Sequence, residues 1–203
     1  MDAKHMALAL QRLLAITHTG LSFSRNPFDQ ERYEEIEKEL HQLLESMTDL
    51  DPQEVGDLLR PTRSYATPLL DVRAFIVKEN QICLVRGVGK DDWSLPGGFA
   101  EIGLSLRENV AKEVKEETGF TADVKELLAI FDTNRHQFQG QQFMKCVFAC
   151  ELLEGAFQPN HEIAELRFFE IDDLPVLSQT RITGEQITWC WEIYQGRKPQ
   201  MID

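Results

Sequence analysis

One stretch of the chain restricts its possible folds more than any other. From Leu95 it reads Leu-Pro-Gly-Gly-Phe-Ala-Glu-Ile-Gly-Leu-Ser-Leu-Arg-Glu-Asn-Val-Ala-Lys-Glu-Val-Lys-Glu-Glu-Thr-Gly-Phe. Gly97, Gly98 and Gly103 permit a tight loop that bends back on itself. Ser105 followed by Glu108 forms a capping box, so a helix starts there, and Gly119 supplies a left-handed stop. The spacing predicts a helix from Leu106 to Thr118, ~20 Å long. Within it Glu113, Glu116 and Glu117 are related by i, i+3 and i+4, which sets three carboxylates on one face with Cβ atoms about 5–6 Å apart. Val110 and Val114 lie elsewhere on the helix and can anchor it to a sheet. Three carboxylates near a helix C-terminus oppose its dipole and repel one another. The bland explanation is a solvated acidic face, partly neutralised by Lys112 and Lys115. The chemical one is a hard divalent cation that removes the repulsion, since Mg²⁺ prefers oxygen ligands and keeps several waters.

Around that stretch the hydrophobic period changes once. Before Pro68 it is helical. Met6, Leu10, Leu13, Leu14 and Thr17 mark a helix ending at Gly20, and Tyr33, Ile36, Leu40, Leu43, Leu44 and Met47 mark a second from Asp29 to Met47. A short third follows Asp51-Pro52, with aspartate as N-cap and proline in the first turn. Three short helices with exposed apolar stripes make a poor independent core, so they are expected to pack on the rest of the chain or on a second subunit. After the polar, proline-bearing stretch from Arg60 to Pro68, strand patterns take over. Asp71 to Lys78 and Gln81 to Arg86 flank Glu79-Asn80 as a hairpin, and further strands are expected at Val124 to Phe131, Gln142 to Leu152 and Leu166 to Ile171. A last helix starts near Thr183, presents Ile187, Cys190, Trp191 and Tyr194 on one face, and ends before Gly196. The division is a helical domain over residues 1–60, a linker over 61–68, and an α/β domain over 69–203 whose mixed sheet is covered on both faces.

Composition excludes some functions. The hydrophobic share of 42% supports a real core. A net charge of −13 repels nucleic-acid backbones and anionic lipids, so extended nucleic-acid binding is not expected. A small anionic substrate stays possible, because a bound cation reverses the sign locally. No apolar run approaches the ~20 residues that span a bilayer, so no membrane role is expected. Residues Met1 to Gly20 lack a signal-peptide layout, being interrupted by His5, Gln11, Arg12 and His18, and the expected location is the cytoplasm. Cys83, Cys146, Cys150 and Cys190 show no metal or redox spacing and read as buried, reduced thiols.

The central stretch resembles the signature of the Nudix hydrolases: glycine, five residues, glutamate, seven residues, then Arg-Glu-aliphatic-any-Glu-Glu-any-Gly-aliphatic. Gly98 matches the first glycine, and Glu113, Val114, Glu116, Glu117, Gly119 and Phe120 fit the second half. Leu104 stands where the family usually has glutamate and Lys112 where it has arginine. Lysine keeps the charge but loses the fork that grips a carboxylate bidentately. Thr19-Gly20-Leu21, Asp29-Gln30-Glu31-Arg32-Tyr33, Asp71-Val72-Arg73, Leu95-Pro96-Gly97-Gly98-Phe99, Leu128-Ala129-Ile130-Phe131-Asp132 and Ile202-Asp203 are similar to a Nudix subgroup with an added N-terminal helical domain. Members of that subgroup tend to lack the glutamate at the position of Leu104. The resemblance implies an α/β/α sandwich with a small N-terminal all-α domain, and a homodimer in which the N-terminal helices take part. It also implies metal-dependent hydrolysis of the pyrophosphate bond in a nucleoside diphosphate linked to another group, first of all CDP-choline to CMP and phosphocholine. ADP-ribose or a nucleotide-sugar is the alternative, and a Nudix-like sensor that binds a nucleotide without cutting it is the second.

The same resemblance makes Glu113, Glu116 and Glu117 the ligands of Mg²⁺, with Mn²⁺ able to substitute and the backbone carbonyl near Gly98 completing the shell. Glu117, or Glu162 or Glu165 from the loop before a strand, is expected to supply the general base; a solvated acidic turn is the alternative for the last two. Arg73 and Arg86, on the two hairpin strands, are candidates to clamp phosphates. Phe99 is a candidate to stack on a ring, or else a hydrophobic strut. His136, in a polar loop with Arg135 and Gln137, is a candidate to touch substrate. Trp93 and Trp189 read as packing residues.

Overall fold

The structure is a computed structural model that describes residues 3–47, 67–137 and 141–203. The chain divides into two compact units, one of residues 1–68 with 138–142 and one of residues 69–137 with 143–203. Among the described residues no helix is long and apolar enough to cross a membrane.

The first unit contains helices α1 (Ala3–Phe23) and α2 (Pro27–Met47). Leu10, Leu14 and Leu40 form its buried centre, with Met6 and Leu44 beside them. His18 Nε2 lies 2.9 Å from Glu37 Oε1 across the pair. Pro27 occupies the first turn of α2, where its missing N–H costs nothing. Contrary to the expected stop at Gly20, α1 runs on to Phe23. A Cβ at Gly20 would lie 2.4 Å from Tyr33 Cζ, so the glycine serves the close approach of the Tyr33 ring. The outer sides keep Leu13, Ile16, Ile36 and Leu43 exposed. The short helix expected after Asp51-Pro52 lies outside the described residues.

The second unit is built on a mixed sheet. Its strands are β1 (Leu69–Lys78), β2 (Gln81–Gly87), β3 (Trp93–Ser94), β4 (Phe120–Asp132), β5 (Phe143–Gly155), β6 (Ile163–Phe169) and β7 (Met201–Ile202). The order is β3-β2-β1-β5-β4-β7, with β6 also paired to β2. Glu79 and Asn80 both take left-handed backbone angles (φ 50° and 63°), which suits a tight turn between β1 and β2. The two strands pair only beside that turn, at Val77↔Ile82 and Lys78↔Gln81. Farther along, the edge of β1 is taken by residues 96–100: Val72 N donates to Gly98 O, Ala74 N to Pro96 O, and Ala100 N to Leu70 O, each at 2.8 Å. On its other edge β1 runs parallel to β5.

Helix α3 (Leu106–Thr118) covers one face, where Val110 and Val114 pack on Val72, Ala74, Ile76, Cys146 and Phe148. A short helical turn, α4 (Thr133–His136), follows β4. Helix α5 (Gly184–Tyr194) covers the other face, its Ile187, Cys190, Trp191 and Ile193 in one cluster with Phe75, Leu84, Phe131 and Val147. The α/β/α arrangement is the expected one. Trp93 is buried in the α5-side core and Trp189 packs against it, and the four cysteines are free and buried. Strands β3 and β7 were not expected: two residues are too short to show a period. Residues 135–136, expected in a loop, belong to α4, whose first turn is capped by the Asp132 side chain accepting from Asn134 N.

Candidate active site

The start of α3 is fixed by reciprocal capping: Glu108 N donates to Ser105 Oγ at 3.3 Å and Ser105 N to Glu108 Oε2 at 2.8 Å. Asn109, almost fully buried, ties the preceding loop to the helix. Its Oδ1 accepts from Glu101 N at 2.8 Å, and its Nδ2 donates to Ser105 O at 3.0 Å and Leu104 O at 3.3 Å. Gly119 ends the helix at φ 77°.

The glycine loop is pressed against β1. Gly97 has φ 141°, and a Cβ there would lie 2.0 Å from Val72 O, so both its conformation and its space exclude a side chain. Arg73 locks the loop from within. Its Nη2 and Nε donate to Asp71 Oδ1 and Oδ2 at 2.7 and 3.1 Å, and its Nη1 to Gly97 O at 2.6 Å and Leu95 O at 3.3 Å. Burial works against its charge, but Asp71, with Glu117 and Glu113 farther off, holds the guanidinium above its usual value. Arg73 therefore spends its donors on the protein, and the structure places it as a pin for the loop rather than as a free phosphate clamp.

The three glutamates of α3 occupy different environments. Glu117 is buried, and its Oε2 accepts from Gly97 N at 2.8 Å. Burial pushes its carboxyl up to about 7, against the Gly97 N–H and Arg73; Glu113 adds to the rise and Arg181 opposes it. Glu113 is half-buried beside Gly98, whose Cβ, if present, would meet its Oε1 at 3.0 Å. Its carboxyl is likewise raised, first by burial, with Lys112 opposing and Glu116 adding. Glu116 is exposed and paired with Lys112 Nζ at 2.6 Å, while the same ammonium reaches Glu101 at 3.1 Å. Lys112 thus bridges two carboxylates singly, where a planar fork would grip one twice.

Among the described residues no three His, Cys, Asp or Glu side chains are gathered so as to hold a metal ion. The donor chemistry nevertheless fits a hard divalent cation. Glu113 and Glu117 offer carboxylate oxygens whose charge is disfavoured first by burial, and then by Glu116 at Glu113 and by Glu113 at Glu117, a deficit that such a cation would fill. Glu116 would have to give up Lys112 to face a cation with them. The Gly98 carbonyl already accepts from Val72 N, leaving it one lone pair.

Of the three candidate bases, the structure treats the two from the loop, Glu162 and Glu165, differently. Glu162 is exposed, and its charge reaches Glu113. Asn160, missed in the sequence, fixes its loop: Nδ2 donates to Glu116 O at 2.8 Å, and Oδ1 accepts from Glu162 N and Ile163 N, both at 2.8 Å. Glu165 is held by Arg86 and Arg167, and the Arg86 hydrogen bond above all lowers its carboxyl. Arg86 is occupied by Glu165 and by Lys90 O at 2.7 Å. Phe99 is half exposed, its ring edge-on to Phe143 at 5.5 Å. His136 Nε2 lies 2.8 Å from Asp203 Oδ2, and its ring stands edge-on to Phe131.

A family model described as NUDIX domain matches residues 67–190, and one described as "UDP-X-like, N-terminal oligomerisation domain" matches residues 4–59. The chain is 40% identical over 184 residues to a putative ADP-ribose pyrophosphatase, YjhB, of Bacillus subtilis, covering 90% of this chain and 88% of that protein. It is 31% identical over 136 residues to an ADP-ribose pyrophosphatase of Methanocaldococcus jannaschii, covering 64% of this chain and 80% of the relative. Among solved structures, that of a UDP-X diphosphatase is 55% identical, covers 100% of both chains and superposes with a TM-score of 0.69. With the signature helix, its glycine loop and these matches together, the chain belongs to the Nudix hydrolases, as a pyrophosphohydrolase of nucleoside diphosphates linked to another moiety.

Proposed function

We propose that this chain hydrolyses the pyrophosphate bond of UDP-linked compounds, with ADP-ribose as the second substrate class. The observation that carries the chemistry is the placement of Glu117, buried against Gly97 N–H and beside Glu113, on a helix that also presents Glu116. The likeness to a UDP-X diphosphatase along the whole chain favours uridine, and the likeness to YjhB favours ADP-ribose. CDP-choline, the substrate expected from the sequence, ranks behind both, since the two likenesses point to uridine and adenosine.

In this mechanism Glu113, Glu116 and Glu117 hold Mg²⁺ or Mn²⁺, which when bound neutralises phosphate charge and acidifies water. Arg73 and Asp71 keep the glycine loop in register so that Glu117 stays aimed. Water attacks one phosphorus, and the bond from that phosphorus to the bridging oxygen breaks. Glu162 takes the proton of the attacking water. It is better suited than Glu165, whose ionisation is held down by Arg86 and Arg167. The products are a nucleoside monophosphate and a phosphorylated leaving moiety. Phe99 offers a ring face for the base, and His136 holds Asp203 rather than substrate. The working form is a homodimer joined through α1 and α2, whose exposed Leu13, Ile16, Ile36 and Leu43 supply apolar area for a partner copy. Light scattering should return twice the chain mass of 23.4 kDa.

The test is a panel of UDP-sugars, ADP-ribose and CDP-choline with Mg²⁺, Mn²⁺ or chelator, the products separated by ion exchange. UDP-sugars should yield UMP fastest, and chelator should abolish every reaction. Binding of all compounds without cleavage under either metal would instead make the chain a nucleotide sensor.

A further inference from the structure

A second set of buried polar groups lies on the α5 face, away from the signature helix. Lys145 of β5 has no solvent exposure and stands opposite Asp71 in the β1–β5 register. Burial pushes its ammonium down to about 7, with Asp71 opposing. Its Nζ donates to Gln137 Oε1 and to the Arg181 carbonyl. Gln137, also buried, donates through Nε2 to Gln179 O at 2.7 Å. Arg181 N donates to Ser178 O, and Ser178 N to Trp93 O, both at 2.8 Å. Residues 178–181 are thus tied to the rest of the unit at three points, by Lys145, Gln137 and Trp93, groups that the chemistry above leaves unused.

A buried lysine is costly, and this one is given over to fixing a surface segment. The segment presents the Arg181 guanidinium, which is exposed and, among the described residues, makes no hydrogen bond or ion pair. Lys145, which holds the Arg181 carbonyl, stands opposite Asp71, and Asp71 in turn holds Arg73 against the Gly97 carbonyl, so the segment is tied to the glycine loop whose Gly97 N–H meets Glu117. Arg73 gives its donors to Asp71 and the loop carbonyls. An unpaired, planar donor fork on a segment tied to that loop suits a phosphate.

We propose that Arg181 binds a phosphate of the diphosphate substrate, and that Lys145 and Gln137 are positioning residues that hold it there. This inference rests on the pyrophosphatase activity proposed above. Arg181→Gln should raise KM for the preferred substrate at least ~10-fold, the scale of a lost charge-assisted hydrogen bond, and leave kcat within about threefold. Arg181→Lys should recover part of the loss, since it keeps the charge without the fork. Calorimetric affinity for α,β-methylene-ADP, which is not cleaved, should fall by the same factor. In a Lys145→Met background, Arg181→Gln should add less than ~3-fold, because the segment is already released; Gln137→Met replaces Lys145→Met if that variant does not fold. If no compound is hydrolysed, the proposed activity fails, while the calorimetry still tests Arg181. Affinity and KM within about twofold of the parent in Arg181→Gln, or no binding of the analogue by the parent, would overturn the assignment of Arg181. A full ~10-fold effect of Arg181→Gln in both backgrounds would overturn the positioning role.

Discussion

Helix α3 with its glycine loop presents Glu113, Glu116 and Glu117, and the segment 178–181 presents Arg181, but different forces hold the two. The helix is fixed mainly by neighbours in sequence: Ser105 with Glu108, Asn109 with residues 101–105, Lys112 with Glu116. The segment depends on partners 36 and 42 residues away, Lys145 and Gln137. Local bonds of the first kind form as the helix forms. Those of the second kind exist only once β5, α4 and the chain before α5 have come together, so they should report on tertiary packing and be lost first when it loosens.

The sharpest way to probe the contrast is Arg73, which links the loop to the sheet interior. Arg73→Met leaves Asp71 buried beside Lys145 without its bidentate partner, and should cost roughly 3–5 kcal/mol in urea unfolding. A loss under ~1 kcal/mol would show that the loop is fixed locally after all. Next comes the pH dependence of the metal-free protein. The Glu117 carboxyl sits at about 7 in the folded chain, above the ordinary 4.5, so the folded state binds its proton more tightly. That contribution to stability is full below 4.5 and lost as pH rises through about 7. In chelator, Glu117→Gln should therefore flatten the fall and be more stable at pH 8, by on the order of 3 kcal/mol. Parallel pH profiles for parent and variant would place the burial effect elsewhere. The smallest effect belongs to the first unit. Gly20→Ala gains helix propensity but displaces the tip of the Tyr33 ring, and the two should nearly cancel, within ~1 kcal/mol by thermal melting.

How much was legible in the sequence follows the same division. The capping box, the Gly119 stop, the hairpin at Glu79-Asn80 and the apolar face of α5 were all readable, because each is a short-range pattern. Asp71 and Arg73, two apart on one strand, are opposite charges on the same face, a signal that was available but read as a free cation. Gly20 was read as a stop because a close approach of the Tyr33 ring leaves no trace in local sequence. Lys145 within an apolar strand hinted at a buried charge, but its partners Gln137 and Arg181 could not be named before the fold brought them together. Asn160 carries no local signal for its role, which is a bond to the Glu116 carbonyl 44 residues away.

The most direct trial of the central claim is the turnover of Glu116→Gln against the parent at fixed, saturating Mg²⁺ with the preferred nucleoside diphosphate compound. Glu116 is exposed and outside the core, so the fold should survive. Turnover should drop at least ~100-fold, the scale of losing a key electrostatic group. A drop under about threefold, with the fold intact, would contradict a cation held by the α3 glutamates.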